Sequence, residues 1–333
     1  MRTPIVVALL VAAAVLPLFG PPRYLVTVVT EVFLYAIFAM SLDLLLGYTG
    51  MGSLGHAAFW GIGAYTAGIL SLQWTQNALL TWPLAVLAAG LAALLIGAVC
   101  IRTSGVYLLM LTLAFTQMVY AAAFKWNGLT GGSNGLSGIP RPRLPLVDLS
   151  DGATFYYTAL VAFVLSLGLL AVLVRSPLGQ TFVGIRENEA RMRALGYNTY
   201  LFKLASFVIG GLLAGLGGAL NVGYTGFASP SDVAWTTSGQ VMVMVIIGGV
   251  GTLFGPALGA ALVLLMQNWV SSLPGIGERW QLVMGLVFVA FVLFARGGIV
   301  GIYDALAGRS RHERGGVQTS LPASRPAIEE SGA

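Results

Sequence analysis

RSPLGQTFVGIRENEARMRALGYNTYLFK, residues 175–203, packs charge more densely than any other stretch between the two ends of the chain. Long apolar runs flank it on both sides. Arg175, Arg186, Arg191, Arg193 and Lys203 lie in it, with Glu187 and Glu189 among them. A segment so charged is excluded from hydrocarbon and lies in water or against another protein. Its excess of arginine predicts the cytoplasmic side. Leu178, Phe182, Ile185, Glu189 and Met192 recur at three- and four-residue spacing, which predicts an amphipathic helix. Arg186 and Arg193, seven apart, fall on another face. Two readings are open at this point. The segment is either a connecting loop lying on the membrane surface or a docking helix that takes mechanical force from a partner.

The rest of the chain has the composition of a polytopic membrane protein. Of 333 residues, 57% are hydrophobic and only 9% charged, whereas a soluble domain is about a quarter charged. Mean hydropathy is +0.86. The 44 glycines suit helices that pack closely or break within a bilayer. The net charge of +5 does not point to nucleic acid, because the basic residues sit at span ends and in the one charged segment. The single cysteine, Cys100, excludes an intramolecular disulfide. Cys100, His56 and His312 have no metal-ligand spacing.

Apolar runs of spanning length then set the topology. The first run follows Met1 and lacks a small-residue cleavage site, so it is read as an uncleaved span. Runs follow at 24–46, 52–72, 82–101, 105–124, 154–174 and 201–224. The stretch 238–272 is too long for one span and is broken at Gly248-Gly249, Gly251 and Gly255-Pro256, so two shorter helices are expected there. A last span covers 281–295. The expected fold is an all-α polytopic membrane protein with about ten transmembrane segments. Residues 1–303 form the membrane domain, with 175–203 as its cytoplasmic segment, and 304–333 form a polar tail expected to be disordered. With both termini inside, twelve of the 17 Lys and Arg residues fall on the cytoplasmic side. The five outside are Arg23, Lys125, Arg141, Arg143 and Arg279.

Two glycine-rich breaks invite comparison as an internal repeat. Gly47, Gly50 and Gly55 align with Gly248, Gly251 and Gly255 with one gap. Paired broken segments in two halves of a transporter point to a substrate path. Polar residues along such a path are candidates for it: Glu31, Asp43, Ser53, His56 and Asn134. Three of them also have a plainer reading. His56 suits packing and hydrogen bonding in a small-residue run, Asp43 suits a cap on the first break, and Asn134 suits a loop turn. Glu31 to Asp43 is twelve steps, about 18 Å of helix, so the two do not form one carboxylate pair. Ser53 near His56 raises an intramembrane hydrolase, which needs a base within hydrogen-bond reach and an oxyanion hole; one local serine-histidine pair is no catalytic constellation, and the chain is not read as an enzyme.

SLDLLLGYTGMGSLGHAAFWGIGAYTAGIL at 41–70, TGGSNGLSGIP at 130–140, SPLGQTFVGIRENEARMRALGYN at 176–198, IIGGVGTLFGPALGAAL and FARGGIVGI follow one another in this order. Together they resemble the LivM-type permeases of branched-chain amino acid ABC importers, from about Ala36 to Ile302. The resemblance implies a heteromeric importer of the bacterial inner membrane. Its other parts would be a sister permease, two cytoplasmic ATPases and a periplasmic binding protein that delivers the amino acid. It implies that residues 176–198 couple to an ATPase, with Phe182, Ile185, Arg186, Glu187, Glu189, Arg193 and Gly196 as coupling candidates. The family's Glu-Ala-Ala motif with a later glycine is met only loosely, by Glu189, Ala190, Arg191 and Gly196. No GxxxxGK[ST] phosphate loop occurs in the chain. No cofactor is therefore expected on it, and ATP and Mg²⁺ would be bound by the partner ATPases. The competing reading is an ion-coupled secondary transporter of small polar solutes. It would need coupling-ion ligands at mid-membrane, for which Glu31 is the obvious candidate.

Overall fold

A computed structural model describes residues 2–20, 22–144, 149, 151–272, 280–294 and 297–301. The tail expected at 304–333 lies outside these residues, as do Arg279 and Arg296. The described chain is almost entirely helical. In order come α1 (Arg2–Val15), α2 (Arg23–Asp43), α3 (His56–Gln73), α4 (Ala78–Cys100), α5 (Val106–Lys125), a single turn α6 (Asn127–Thr130) and α7 (Gly152–Arg175). They are followed by α8 (Pro177–Ala194), α9 (Thr199–Thr225), α10 (Trp235–Gly248), α11 (Gly255–Ser271) and α12 (Trp280–Phe294). A small sheet pairs Leu136–Ser137 (β1) with Phe227–Ala228 (β2), antiparallel, and clips two loops together.

Among the described residues five helices are long and apolar enough to cross a bilayer: α2 with its extension to Thr49, α4, α5, α7 and α9. Their burial separates two roles. About 61% of the most apolar window of α2 and 56% of that of α9 is buried within the chain, against 22–33% for α4, α5 and α7. Thus α2 and α9 form the centre. The others turn stripes such as Leu87, Leu91 and Leu95 outward, as helices bordering lipid do.

Small residues let the central helices approach closely. Gly63 on α3 faces the backbone of Gly215 on α9, so a Cβ at Gly63 would enter the neighbouring main chain. On α4, Ala85, Ala89 and Ala93 recur every four residues and are fully buried, and the last two meet Gly215 and Gly211 of α9. In a bilayer such packing replaces the hydrophobic drive available in water. Around it stack Phe38 and Trp60, ring centroids 4.6 Å apart, and Phe59 meets Phe207 edge-on at 5.5 Å.

Both glycine breaks expected from the sequence are present. After Asp43 the backbone widens into a π-helical turn, Leu44–Thr49, which ends where Gly50 takes φ +75°. Thr49 Oγ1 donates to the Leu44 carbonyl at 3.0 Å and the Met51 amide to the Leu45 carbonyl at 2.8 Å. These bonds satisfy groups that the widened turn would leave orphaned. The second break separates α10 from α11, with Gly249 at φ +118° and Gly251 at φ +73°. Only glycine adopts such angles without strain. Each break joins two antiparallel helices into a hairpin, and both hairpin turns lie at the end of the bundle that carries α8.

Candidate functional site

Segment 175–203 starts as its sequence predicts and then departs from it. Ser176 is the N-cap of α8, with Pro177 in the first helical position, the favoured arrangement for a helix start. Phe182 and Ile185 are buried against the rest of the chain, 0% and 4% exposed. Removing each from water contributes about 1.5–3 kcal/mol. The periodicity predicts one helix, but Asn188 breaks it, at φ −158° and ψ 95°. Its Oδ1 accepts the Arg191 amide at 2.9 Å, so Asn188 acts as the N-cap of a second short piece. The segment ends on Gly196 at φ +88°, where the Tyr197 amide reaches back to the Met192 carbonyl at 3.1 Å. This is a glycine C-cap.

The break at Asn188 sends Arg186 and Arg193 to different partners, although seven-residue spacing puts them on one face. Arg186 Nη1 donates to the Gly47 carbonyl in the first glycine break. Asp43 Oδ1, one turn before Gly47, accepts the Gly251 amide of the second break at 2.8 Å. Arg186 is within Coulombic reach of Asp43. Gly47 and Gly251 are so close that a Cβ on Gly47 would overlap both the Asp43 carboxylate and the Gly251 main chain. One arginine of α8 thus meets both breaks at a single point.

Arg193 belongs to a second cluster, which ties α8 to the start of α9. Glu189 Oε1 accepts from Arg193 Nη2 at 2.5 Å and from Thr199 Oγ1 at 3.1 Å, and Glu189 Oε2 accepts from Lys203 Nζ at 2.5 Å. Burial alone would raise the Glu189 carboxyl. The hydrogen bonds from Lys203 and Arg193 outweigh it and hold the group below its ordinary value. Glu187, Arg191, Leu195 and Tyr197 are exposed beside this cluster. A cavity of about 250 Å³ lies between α8, residues 49–51 and the 103–105 loop.

The candidates along the membrane interior are not brought together. His56 is fully buried, its Nε2 2.8 Å from Ser41 Oγ and its ring stacked on Phe38 with centroids 5.6 Å apart. Ser53 is fully buried and accepts the Gly55 amide at 3.1 Å, as a turn residue does. Asn134 is exposed in a 3-10 turn (Gly132–Asn134) at the opposite end from α8. Glu31 lines a polar cavity of about 310 Å³ in the half of the bundle remote from α8, with Tyr35, Asn221, Asp232, Gln240 and Gln267. Sequence reading missed these last five, because they come from α2, α9, α10, α11 and the turn before α10. Their scattered positions leave no spacing to detect. Burial raises the Asp232 carboxyl, while the Ser229 amide, 2.8 Å from its Oδ2, pulls the other way. Among the described residues no group of three His, Cys, Asp or Glu could hold a metal ion.

Residues 24–292 match the family described as the permease component of branched-chain amino acid transport systems. The chain is 31% identical over 317 residues to the high-affinity branched-chain amino acid transport system permease protein LivM of Escherichia coli. That alignment covers 88% of this chain and 74% of the relative. It is likewise 31% identical to the LivM protein of Salmonella typhimurium, over 88% and 73%. A shorter match, 31% over 125 residues, covers 35% of this chain and 37% of a probable ABC transporter permease protein, y4mJ, of Sinorhizobium fredii. No solved structure matches the chain.

Proposed function

Because the chain belongs to the family of permease components of branched-chain amino acid transport systems, we propose that it carries branched-chain or closely related amino acids inward across the bacterial inner membrane. It is a membrane-spanning permease subunit of an ATP-binding-cassette importer. In this reading it pairs with a sister permease, two cytoplasmic ATPases and a periplasmic binding protein. ATP and Mg²⁺ are bound by the ATPases. The observation that carries the reading is the junction at Arg186. A helix outside the apolar spans is joined by Arg186 to the turn of one broken helical hairpin, and Asp43 ties that turn to the turn of the second. Movement of α8 by an ATPase would reach both hairpins at once.

The same reading gives ten crossings, α1 to α5, α7 and α9 to α12, with both termini and α8 cytoplasmic. The concentration of Arg and Lys at the α8 end supports it. The two breaks are then corresponding parts of a repeat. Gly50 and Gly251, aligned by sequence, both adopt left-handed φ, +75° and +73°. Each is followed within a few residues by the start of a helix, α3 and α11. Glu187, Arg191, Leu195 and Tyr197 form the exposed surface that an ATPase would meet.

The test is reconstitution of the four kinds of subunit in proteoliposomes. Leucine uptake should require the binding protein and ATP together. Concentrative, ATP-independent uptake by this chain alone would overturn the reading in favour of an ion-coupled transporter.

A further inference from the structure

The polar cavity remote from α8 carries a chemical bias that the coupling junction does not explain. Its lining has two carboxylates, Glu31 and Asp232, four carboxamides, Asn221, Gln240, Gln267 and Asn268, and the Tyr35 hydroxyl, and it includes no Lys, Arg or His. Glu31 has no hydrogen-bond or ionic partner among the described residues. Asp232 uses Oδ2 on the Ser229 amide, leaving Oδ1 available. Gln240 Nε2 donates to Gln267 Oε1 at 3.1 Å, which holds both carboxamides across the α10–α11 hairpin.

Asn221 supplies an independent sign of a ligand. It is 8% exposed, it lines the cavity, and its carboxamide has no partner among the described residues. Its amide atoms open onto the cavity, where such groups are normally satisfied by water or ligand. The cavity volume, about 310 Å³, is at the lower end of small-molecule sites, ~300–1,000 Å³.

Resting on the transport reading above, we propose that this cavity is the transient binding site for the transported solute and that it selects solutes bearing an ammonium group. Glu31 and Asp232 face that ammonium. The carboxamides of Asn221 and Gln240 and the Tyr35 hydroxyl can donate to a carboxylate on the same solute. Two carboxylates without a fixed cation disfavour a purely anionic solute such as an organic acid, and they give no advantage to a neutral amide. The site thus favours ammonium-bearing solutes at the level of the permease, separately from any choice made by a binding protein.

The experiment uses a cysteine reporter at the cavity mouth, Thr225→Cys in a Cys100→Ser background, in the full importer complex in nanodiscs. Methanethiosulfonate reagents of opposite charge are compared, each rate normalised to a free thiol. The cationic reagent should react at least about tenfold faster than the anionic one. Glu31→Gln with Asp232→Asn should bring the ratio near one. Leucine and leucinamide, which share the ammonium, should slow labelling. The des-amino acid 4-methylpentanoate should not. Asn221→Ala should weaken protection by leucine without changing the charge ratio. Equal rates for the two reagents, or equal protection by 4-methylpentanoate, would overturn the proposal. This labelling needs no ATP, so its result stands apart from the uptake assay. An importer that fails to transport leucine yet shows ammonium-selective protection would overturn the parent reading and leave the site.

Discussion

Asp43 Oδ1 accepts the main-chain amide of Gly251 at 2.8 Å, across 208 residues of chain. The bond joins the last turn of α2 to the turn between α10 and α11, and so joins the two glycine breaks directly. Asp43→Ala would leave the Gly251 amide without its acceptor, at a cost of about 1–3 kcal/mol. Asp43→Asn keeps an acceptor oxygen and should lose much less. Thermal unfolding of the purified variants in detergent should place the alanine variant several degrees below the asparagine variant.

Gly47→Ala tests the closeness of the same contact. The added methyl would meet the Asp43 carboxylate and the Gly251 backbone. Overpacking of this kind costs about 1–3 kcal/mol. Gly168→Ala on α7 is the control, since nothing lies within 4 Å of its would-be Cβ. The first variant should melt lower than wild type and the second should not.

Arg186 and Arg193 should be separable. Arg186→Gln removes the charged donor to Gly47 and should lower uptake more than it lowers ATPase copurification. Arg193→Gln leaves Glu189 paired with Lys203 and should have the smaller effect on both. The double reversal Arg186→Glu/Arg193→Glu should reduce uptake and substrate-stimulated ATP hydrolysis after membrane insertion is confirmed. Wild-type values for the double variant would return α8 to an ordinary surface loop.

Glu189→Gln should loosen the α8–α9 junction, with a dependence on pH of known sign. The folded-state carboxyl is held below its ordinary value of 4.5. Its stabilisation is therefore fully present above that value and is lost as pH falls through the depressed one. The gap in melting temperature between wild type and Glu189→Gln should be constant from pH 8 to pH 5 and should shrink below about pH 4.5. A gap that instead closes between pH 6 and 8 would assign the effect to another group.

Topology is open to labelling with a membrane-impermeant thiol reagent in a Cys100→Ser background. Cysteine at position 134 should label from outside intact cells, and cysteine at position 187 only after permeabilisation. Labelling of position 187 from outside would invert the whole arrangement.

The order of apolar runs, the two glycine breaks and the charged segment were legible in the sequence because each depends on local properties. Runs of about 20 apolar residues must be helical in a bilayer, glycine permits left-handed backbone at Gly50 and Gly251, and arginine is excluded from hydrocarbon. Even the break at Asn188 has a local sign, an asparagine three residues before the amide it caps, though the apolar periodicity masked it. What the tertiary structure decided is which distant groups meet. Nothing local pairs Arg186 with Gly47 or Asp43 with Gly251, because these contacts exist only once the two hairpins pack side by side. Likewise Asn221 joins Glu31 only because α9 packs along α2, and Asp232 only because the turn before α10 packs against α3, so a polar cavity forms from residues that are unremarkable in the chain order.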